Sequence, residues 1–253
     1  MARIIKKGRD LERDYQTCQK RVNGRNVVAL ICFVAAVLSA LFMMKMNLYK
    51  GMVIPFALGA AAVVSLLSAA PYVQEMNILS AGIAGENEAS RCLSMLPDSY
   101  TVFRNLTVSY QGKSSEIDTV VVGPAGIFVV EIKNLNGTIF GRVEDQQWRQ
   151  EKVGRGGTLY GKDFYSPVKQ VGTHVFRLAK YLQERGVRNY VNACVYFSNP
   201  LATVYVTGTD GKTAVFSAAA GGAHALLMHL SQPQAQMIAP ADCQRIVQIL
   251  EQA

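Results

Sequence analysis

Two carboxylates and a lysine stand out in this chain for the chemistry their spacing permits. Asp118 ends the run Glu116-Ile117-Asp118, and Glu131-Ile132-Lys133 follows after twelve residues dominated by valine, isoleucine and glycine. Residues 119–122 and 127–130 flank Gly123-Pro124-Ala125-Gly126, a pattern that reads as an antiparallel hairpin closed by a tight turn. Pairing Gly123 with Gly126 sets one register for the whole hairpin. It places Asp118 opposite Glu131 and Glu116 opposite Lys133. Strand side chains alternate between faces, so these four share one face. Directly opposed Cβ atoms lie about 4.5–5.5 Å apart. Two carboxylates that close repel unless a proton or cation sits between them. A metal site with a cationic helper is the sharp reading. A solvated hairpin end, with Glu116 and Lys133 as a surface ion pair, is the bland one. The flanking residues favour the first. Val120, Val122, Ile127 and Val129 continue the carboxylate face, while Ile117, Val121, Phe128, Val130 and Ile132 form the other. A carboxylate in a strand apolar on both faces needs a partner.

The elements around this hairpin can be read from period and punctuation. A helix is expected from about 80 to 96, stopped by Pro97-Asp98, then a strand from 100 to 110 that turns at Gln111-Gly112-Lys113. A further strand is expected over 137–143, near Trp148. Residues 151–165 are rich in glycine and basic side chains and read as a mobile loop. Ser166-Pro167 opens a helix to about Arg185, with serine as cap and proline first. Its core stripe is Val171, Val175, Leu178 and Leu182. Gln170, His174 and Arg177 share a neighbouring flank, and His174 reads as a packed or surface histidine. A strand over 189–198, short strands at 204–206 and 213–216 around a hairpin turn at Asp210-Gly211, and helices over 219–230 and 241–251 complete the chain. The class is α/β, a mixed sheet flanked by helices. Gly211-Lys212-Thr213 imitates the end of a phosphate-binding loop, but Val206 occupies the position of the required upstream glycine.

Half of the residues are hydrophobic, and the excess is local. Residues 27–44 and 52–73 are uncharged apolar runs, each near the roughly 20 residues a helix needs to cross a bilayer. Seven residues join them. The expected organisation is a basic N-terminal segment (1–26), a transmembrane hairpin (27–73) and a globular domain (74–253). Eight lysines and arginines precede the first run, whereas the connecting loop holds only Lys45 and Lys50. That asymmetry puts both termini in the cytoplasm, with the lipid bilayer as a partner. The formal charge of +8 is concentrated in residues 1–73, which hold ten basic and three acidic residues. The excess thus reports on anionic lipid more than on nucleic acid. Five scattered cysteines without metal-binding spacing fit a reducing compartment and argue against structural zinc or disulfides.

The ordered set Gly85-Glu86, Glu116-Ile117-Asp118, Val120-Val121-Val122-Gly123, Gly126 through Asn134, Gly137, Trp148 and Pro167 to Gln170 resembles the NERD (nuclease-related) domain over roughly residues 80–200. That family resembles the PD-(D/E)XK phosphodiesterases, which implies a restriction-endonuclease-like sheet. The resemblance implies that Asp118, Glu131 and Glu86 hold the metal, that Lys133 is the catalytic lysine, and that Gln170 supports the site. Thr119 and Ser166 depart from it, where histidine and asparagine are usual. Carboxylate oxygens suit Mg²⁺ or Mn²⁺. The implied activity is metal-dependent hydrolysis of nucleic acid, DNA before RNA. The alternative is a membrane-anchored module that binds nucleic acid or protein without cutting. Lys152, Arg155 and Lys162 are candidate phosphate contacts, with a solvated loop as the alternative.

Overall fold

The computed structural model describes residues 1–8, 10–154, 156–233 and 237–253. Two compact units emerge: Asp10–Ile83, and Met1–Arg9 together with Ala84–Ala253.

The first unit is helical. Helix α1 spans Leu11–Lys45 and is capped by Asp10, whose side chain accepts from the Glu12 amide. Helix α2 spans Val53–Leu67, and α3 spans Ala70–Leu93, contributing its first part to this unit. Pro71 explains the break between α2 and α3, because it has no N–H to donate one turn back. The two uncharged runs fall in α1 and across the α2–α3 junction. Leu30, Phe33, Leu41, Phe56, Val64 and Leu67 are exposed there. Counting α2 and α3 as continuous, Leu11–Lys45 and Lys50–Leu93 are long and apolar enough to cross a membrane. Toward the basic end of α1, Arg25 lies 4.9 Å over the Tyr72 ring and Ser65 Oγ donates to the Arg25 carbonyl.

The second unit is mixed α/β. Its strands are β1 (Arg3–Lys6), β2 (Thr101–Tyr110), β3 (Lys113–Gly123), β4 (Gly126–Lys133), β5 (Gly137–Arg142), β6 (Gln147–Val153), β7 (Leu159–Tyr165), β8 (Val191–Phe197), β9 (Ala202–Thr207) and β10 (Thr213–Ser217). Helix α4 (Pro167–Glu184) lies between β7 and β8, while α5 (Gly222–Ser231) and α6 (Pro240–Glu251) close the chain. A six-stranded sheet runs β1-β2-β3-β4-β8-β10 and a four-stranded sheet runs β7-β6-β5-β9. In the larger sheet β2, β3 and β4 are antiparallel, whereas β1, β8 and β10 join in parallel. One face packs Val120, Val122 and Val129 against Val171 and Leu178 of α4 and Ile246 of α6. The other packs Val121, Phe128 and Val130 with Leu93 of α3 and Leu226 of α5. Both faces of the hairpin are therefore buried. Trp148 of the smaller sheet joins the first core, stacks on Phe197 and donates Nε1–H to the Arg142 carbonyl.

The hairpin register is the expected one, with Gly123 opposite Gly126 and Val122 opposite Ile127. Gly126 has φ +145, a backbone that side chains rarely adopt. Two expectations are corrected. Residues 151–165 are not one mobile loop: their two ends belong to β6 and β7, which pair with each other. Glycine and lysine content hid strands that become stable by addition to β5. Strands β9 and β10 do not form a hairpin either. Asp210 does make the turn, accepting from the Lys212 and Thr213 amides, but β9 pairs with β5 and β10 with β8, in different sheets. Strand β1 had no counterpart in the sequence reading. Four residues with charges at both ends carry too little pattern to show a strand.

Candidate active site

Asp118 sits where the sheet ladder gives way on both sides. The β3–β4 ladder ends at Thr119 opposite Val130, one pair short of the carboxylates. Asp118 Oδ2 instead accepts from the Ile132 amide at 2.9 Å. The same register would have left that amide opposite Ile117. On the other side, the β2–β3 ladder passes from Arg104/Thr119 to Leu106/Ile117 and skips Asn105, which adopts φ +54. Asparagine tolerates the left-handed region better than most residues. Beyond the point where β3 lets go, β8 holds β4: Glu131 is opposite Val195 and Lys133 opposite Phe197. The two carriers of charge on β4 thus keep a rigid backbone.

Helix α4 closes over them. Ser166 Oγ accepts from the Lys169 amide as the expected cap. In the first turns, Gln170 Oε1 accepts from Lys133 Nζ at 2.9 Å, and Lys133 Nζ donates to Glu131 Oε1 at 2.7 Å. One turn later His174 Nε2 lies 3.5 Å from Glu131 Oε2. Arg177 donates to the Ser114 carbonyl at 3.0 Å and to Ser115 Oγ. The flank Gln170, His174 and Arg177 therefore covers one side of the hairpin. Glu131 is 1% exposed, and the Lys133 side chain 22%. Lys133 thus reaches outward from a carboxylate that does not.

Burial pushes the Glu131 carboxyl above its ordinary pKa, and the neighbouring Asp118 charge adds to the rise, while Lys133 opposes it. Burial also raises Asp118, against the pull of the Ile132 amide and Lys133. His174 moves down to about 4, first through burial and then through Arg177 and Lys133. The imidazole is neutral near pH 7. The carboxyl pair carries more negative charge than its surroundings compensate, which a proton or a cation would relieve.

Glu86 reaches the neighbourhood from α3. Gly85 lets the helix come close to the end of β4: a Cβ there would fall 2.6 Å from Asn134 Cβ. Glu86 Oε2 is held by Arg104 Nη2 at 2.8 Å and Asn105 Nδ2 at 3.3 Å. Its charge still acts on Asp118. Among the described residues, no three His, Cys, Asp or Glu side chains form a metal-ligating group. The structure thus brings together Asp118, Glu131, Lys133 and Gln170, and leaves Glu86 on Arg104. The donor chemistry fits a single hard cation at the carboxyl pair: both residues offer oxygens, and Glu131 Oε2 is buried without a hydrogen-bond partner. Lys152 lies on β6 with its stem against Gly137, and Lys162 is exposed on β7. Arg155 lies outside the described residues. Glu116 is exposed and pairs across to Thr107 of β2, so the Glu116–Lys133 ion pair does not form.

Residues 81–198 match the family model described as the nuclease-related domain. This segment carries that domain. It runs from the later turns of α3 to the end of β8, so it includes every residue of the cluster. An uncharacterized protein of Bacillus anthracis is 44% identical over 71 residues, which are 27% of this chain and 34% of the relative. The chain thus spans about a third of the length of the curated relative it matches. No solved structure matches the chain.

Within the nuclease-related domain, sequence reasoning passed over three participants. Arg104 and Asn105 interrupt the apolar residues of their strand, between Phe103 and Leu106, and that interruption was their signal. His174 shares the flank of Gln170, so the spacing pointed to it, but nothing in the sequence says that this flank is buried against Glu131.

Proposed function

We propose that the chain is a membrane-anchored, metal-dependent nuclease of restriction-endonuclease-like type that hydrolyses phosphodiester bonds in DNA at the cytoplasmic face. The observation that carries this reading is the half-buried chain of contacts from Gln170 to Lys133 to the buried Glu131, beside Asp118, at the open end of the central hairpin. Asp118 and Glu131 are the residues that would hold Mg²⁺ or Mn²⁺. Such an ion supplies Lewis acidity and lowers the pKa of water at a phosphodiester. Gln170 orients the Lys133 ammonium, so that its one remaining proton points to the partly exposed side. There Lys133 stabilises negative charge that develops on the phosphate. Its 2.7 Å bond to Glu131 holds it in place while it does so. Lys152 and Lys162, on adjacent paired strands, contact flanking phosphates. The two apolar helices anchor the domain, and the basic residues of α1 keep its side of the bilayer cytoplasmic.

The full-length chain in detergent should cut linear and plasmid DNA with Mg²⁺ or Mn²⁺ and stop when EDTA is added. Asp118→Ala and Lys133→Ala should each abolish cutting. Metal-independent cutting, or wild-type rates in Asp118→Ala, would overturn the reading. One observation favours a second reading: Arg104 and Asn105 occupy Glu86, as expected of a site that binds nucleic acid without cutting it. DNA retention with no cleavage by any of these proteins would select it.

A further inference from the structure

We propose that His174 is a positioning residue that donates from Nε2 to Glu131 Oε2 and fixes the direction in which Glu131 presents its carboxylate. The proposal deepens the nuclease reading and rests on it where a cation is concerned. The helix period sets the geometry. Position 174 is four residues beyond 170, so both side chains leave α4 on one flank. Gln170 meets Lys133, and His174 meets Glu131. The carboxylate of Glu131 then has one oxygen on Lys133 Nζ and the other beside His174 Nε2. Glu131 Oε2, His174 Nδ1 and His174 Nε2 are buried side-chain atoms without a hydrogen-bond partner. Two of them face each other at 3.5 Å.

Buried polar atoms are rarely left unpaired, because the lost hydration is not recovered. A small rotation of the imidazole closes 3.5 Å to an ordinary hydrogen bond and satisfies two of the three atoms at once. The direction of donation follows from chemistry. In the ionised form that a cation requires, Glu131 can only accept, so the proton of this contact belongs on Nε2. Each carboxylate oxygen has two lone pairs, so the bonds to Lys133 and His174 leave one on each oxygen for a cation. Hydrogen bonds behind a metal-binding carboxylate set its orientation, and their loss typically costs about 10–100-fold in metal affinity or activity.

The chain has three histidines, so ¹⁵N labelling of histidine in the full-length protein yields three pairs of ring signals. The His174 pair is the one lost in His174→Gln. The expected signature is an Nε2–H tautomer whose proton exchanges slowly and becomes fast in Glu131→Leu, which has no acceptor. An Nδ1–H tautomer, an imidazolium, or exchange unaffected by Glu131→Leu overturns the proposal. Calorimetry with Mn²⁺ gives a second readout. His174→Leu should bind about 10–100-fold more weakly, while His174→Gln, whose amide reaches the same oxygen, should recover most of the loss. Wild-type affinity in His174→Leu overturns the proposal. A wild-type chain that binds no Mn²⁺ defeats the nuclease reading instead, and the tautomer then decides the contact between His174 and Glu131 by itself.

Discussion

The β3–β4 hairpin has two ends built on one register, and they behave differently. At the closed end, Gly123 to Gly126 and Val122 to Ile127 pair in an unbroken ladder, and Val122, Ala125 and Ile127 join the apolar cores. At the open end the same register carries Asp118 and Glu131 toward each other, and the ladder stops one pair before they meet. A carboxylate takes over the Ile132 amide, Asn105 takes a left-handed backbone, and α4 supplies Gln170 and His174. The closed end is stabilised by burial. The open end holds polar groups whose requirements are only partly met within the protein, and that deficit is what a ligand could supply.

Substitutions at the two ends should therefore separate stability from activity. The largest expected effect is at the open end, where Asp118→Ala lowers DNA cleavage by about 1000-fold, the upper range for losing one preorganised polar group at a reacting centre. Its circular dichroism should stay that of the wild type, and a lost fold would erase the contrast. Phe128→Ala, at a fully buried position on the other face, should cost about 3–5 kcal/mol in denaturant unfolding. The remaining folded fraction should cut at the wild-type rate. Gly126→Ala forces a side chain into φ +145 and should cost about 1–3 kcal/mol, again read by denaturant titration with activity per folded molecule unchanged. At the small end, Glu116→Gln should change stability by less than about 0.5 kcal/mol and leave cleavage intact. A large effect there would mean that the open end extends one more pair along the strands.

The hairpin, its turn and its register were legible in the sequence because period-two alternation and a Gly-Pro turn are local signals. The cap and the two useful stripes of α4 were legible for the same reason. Strands β6 and β7 were not, because their residues have little apolar content and acquire structure from β5. Strands β9 and β10 looked like one hairpin, because turn chemistry at Asp210 says that the chain reverses, not which sheet receives each arm. Arg104 stood out as a charge within its strand, but nothing named Glu86 as its partner, since ion pairing between a helix and a strand has no fixed spacing in sequence.

By itself the sequence determined that Asp118 and Glu131 share a register and a face, that Lys133 follows on the same face, and that two long apolar helices stand at the N-terminal side. Those properties follow from strand alternation and from hydrophobicity counted along the chain. Only the tertiary structure decided that β8 rather than β3 holds the backbone of Glu131 and Lys133, that α4 buries Glu131 between Lys133 and His174, and that Glu86 is engaged by Arg104. Each of these joins residues distant in sequence, and which distant groups meet is set by how the sheet and helices pack together.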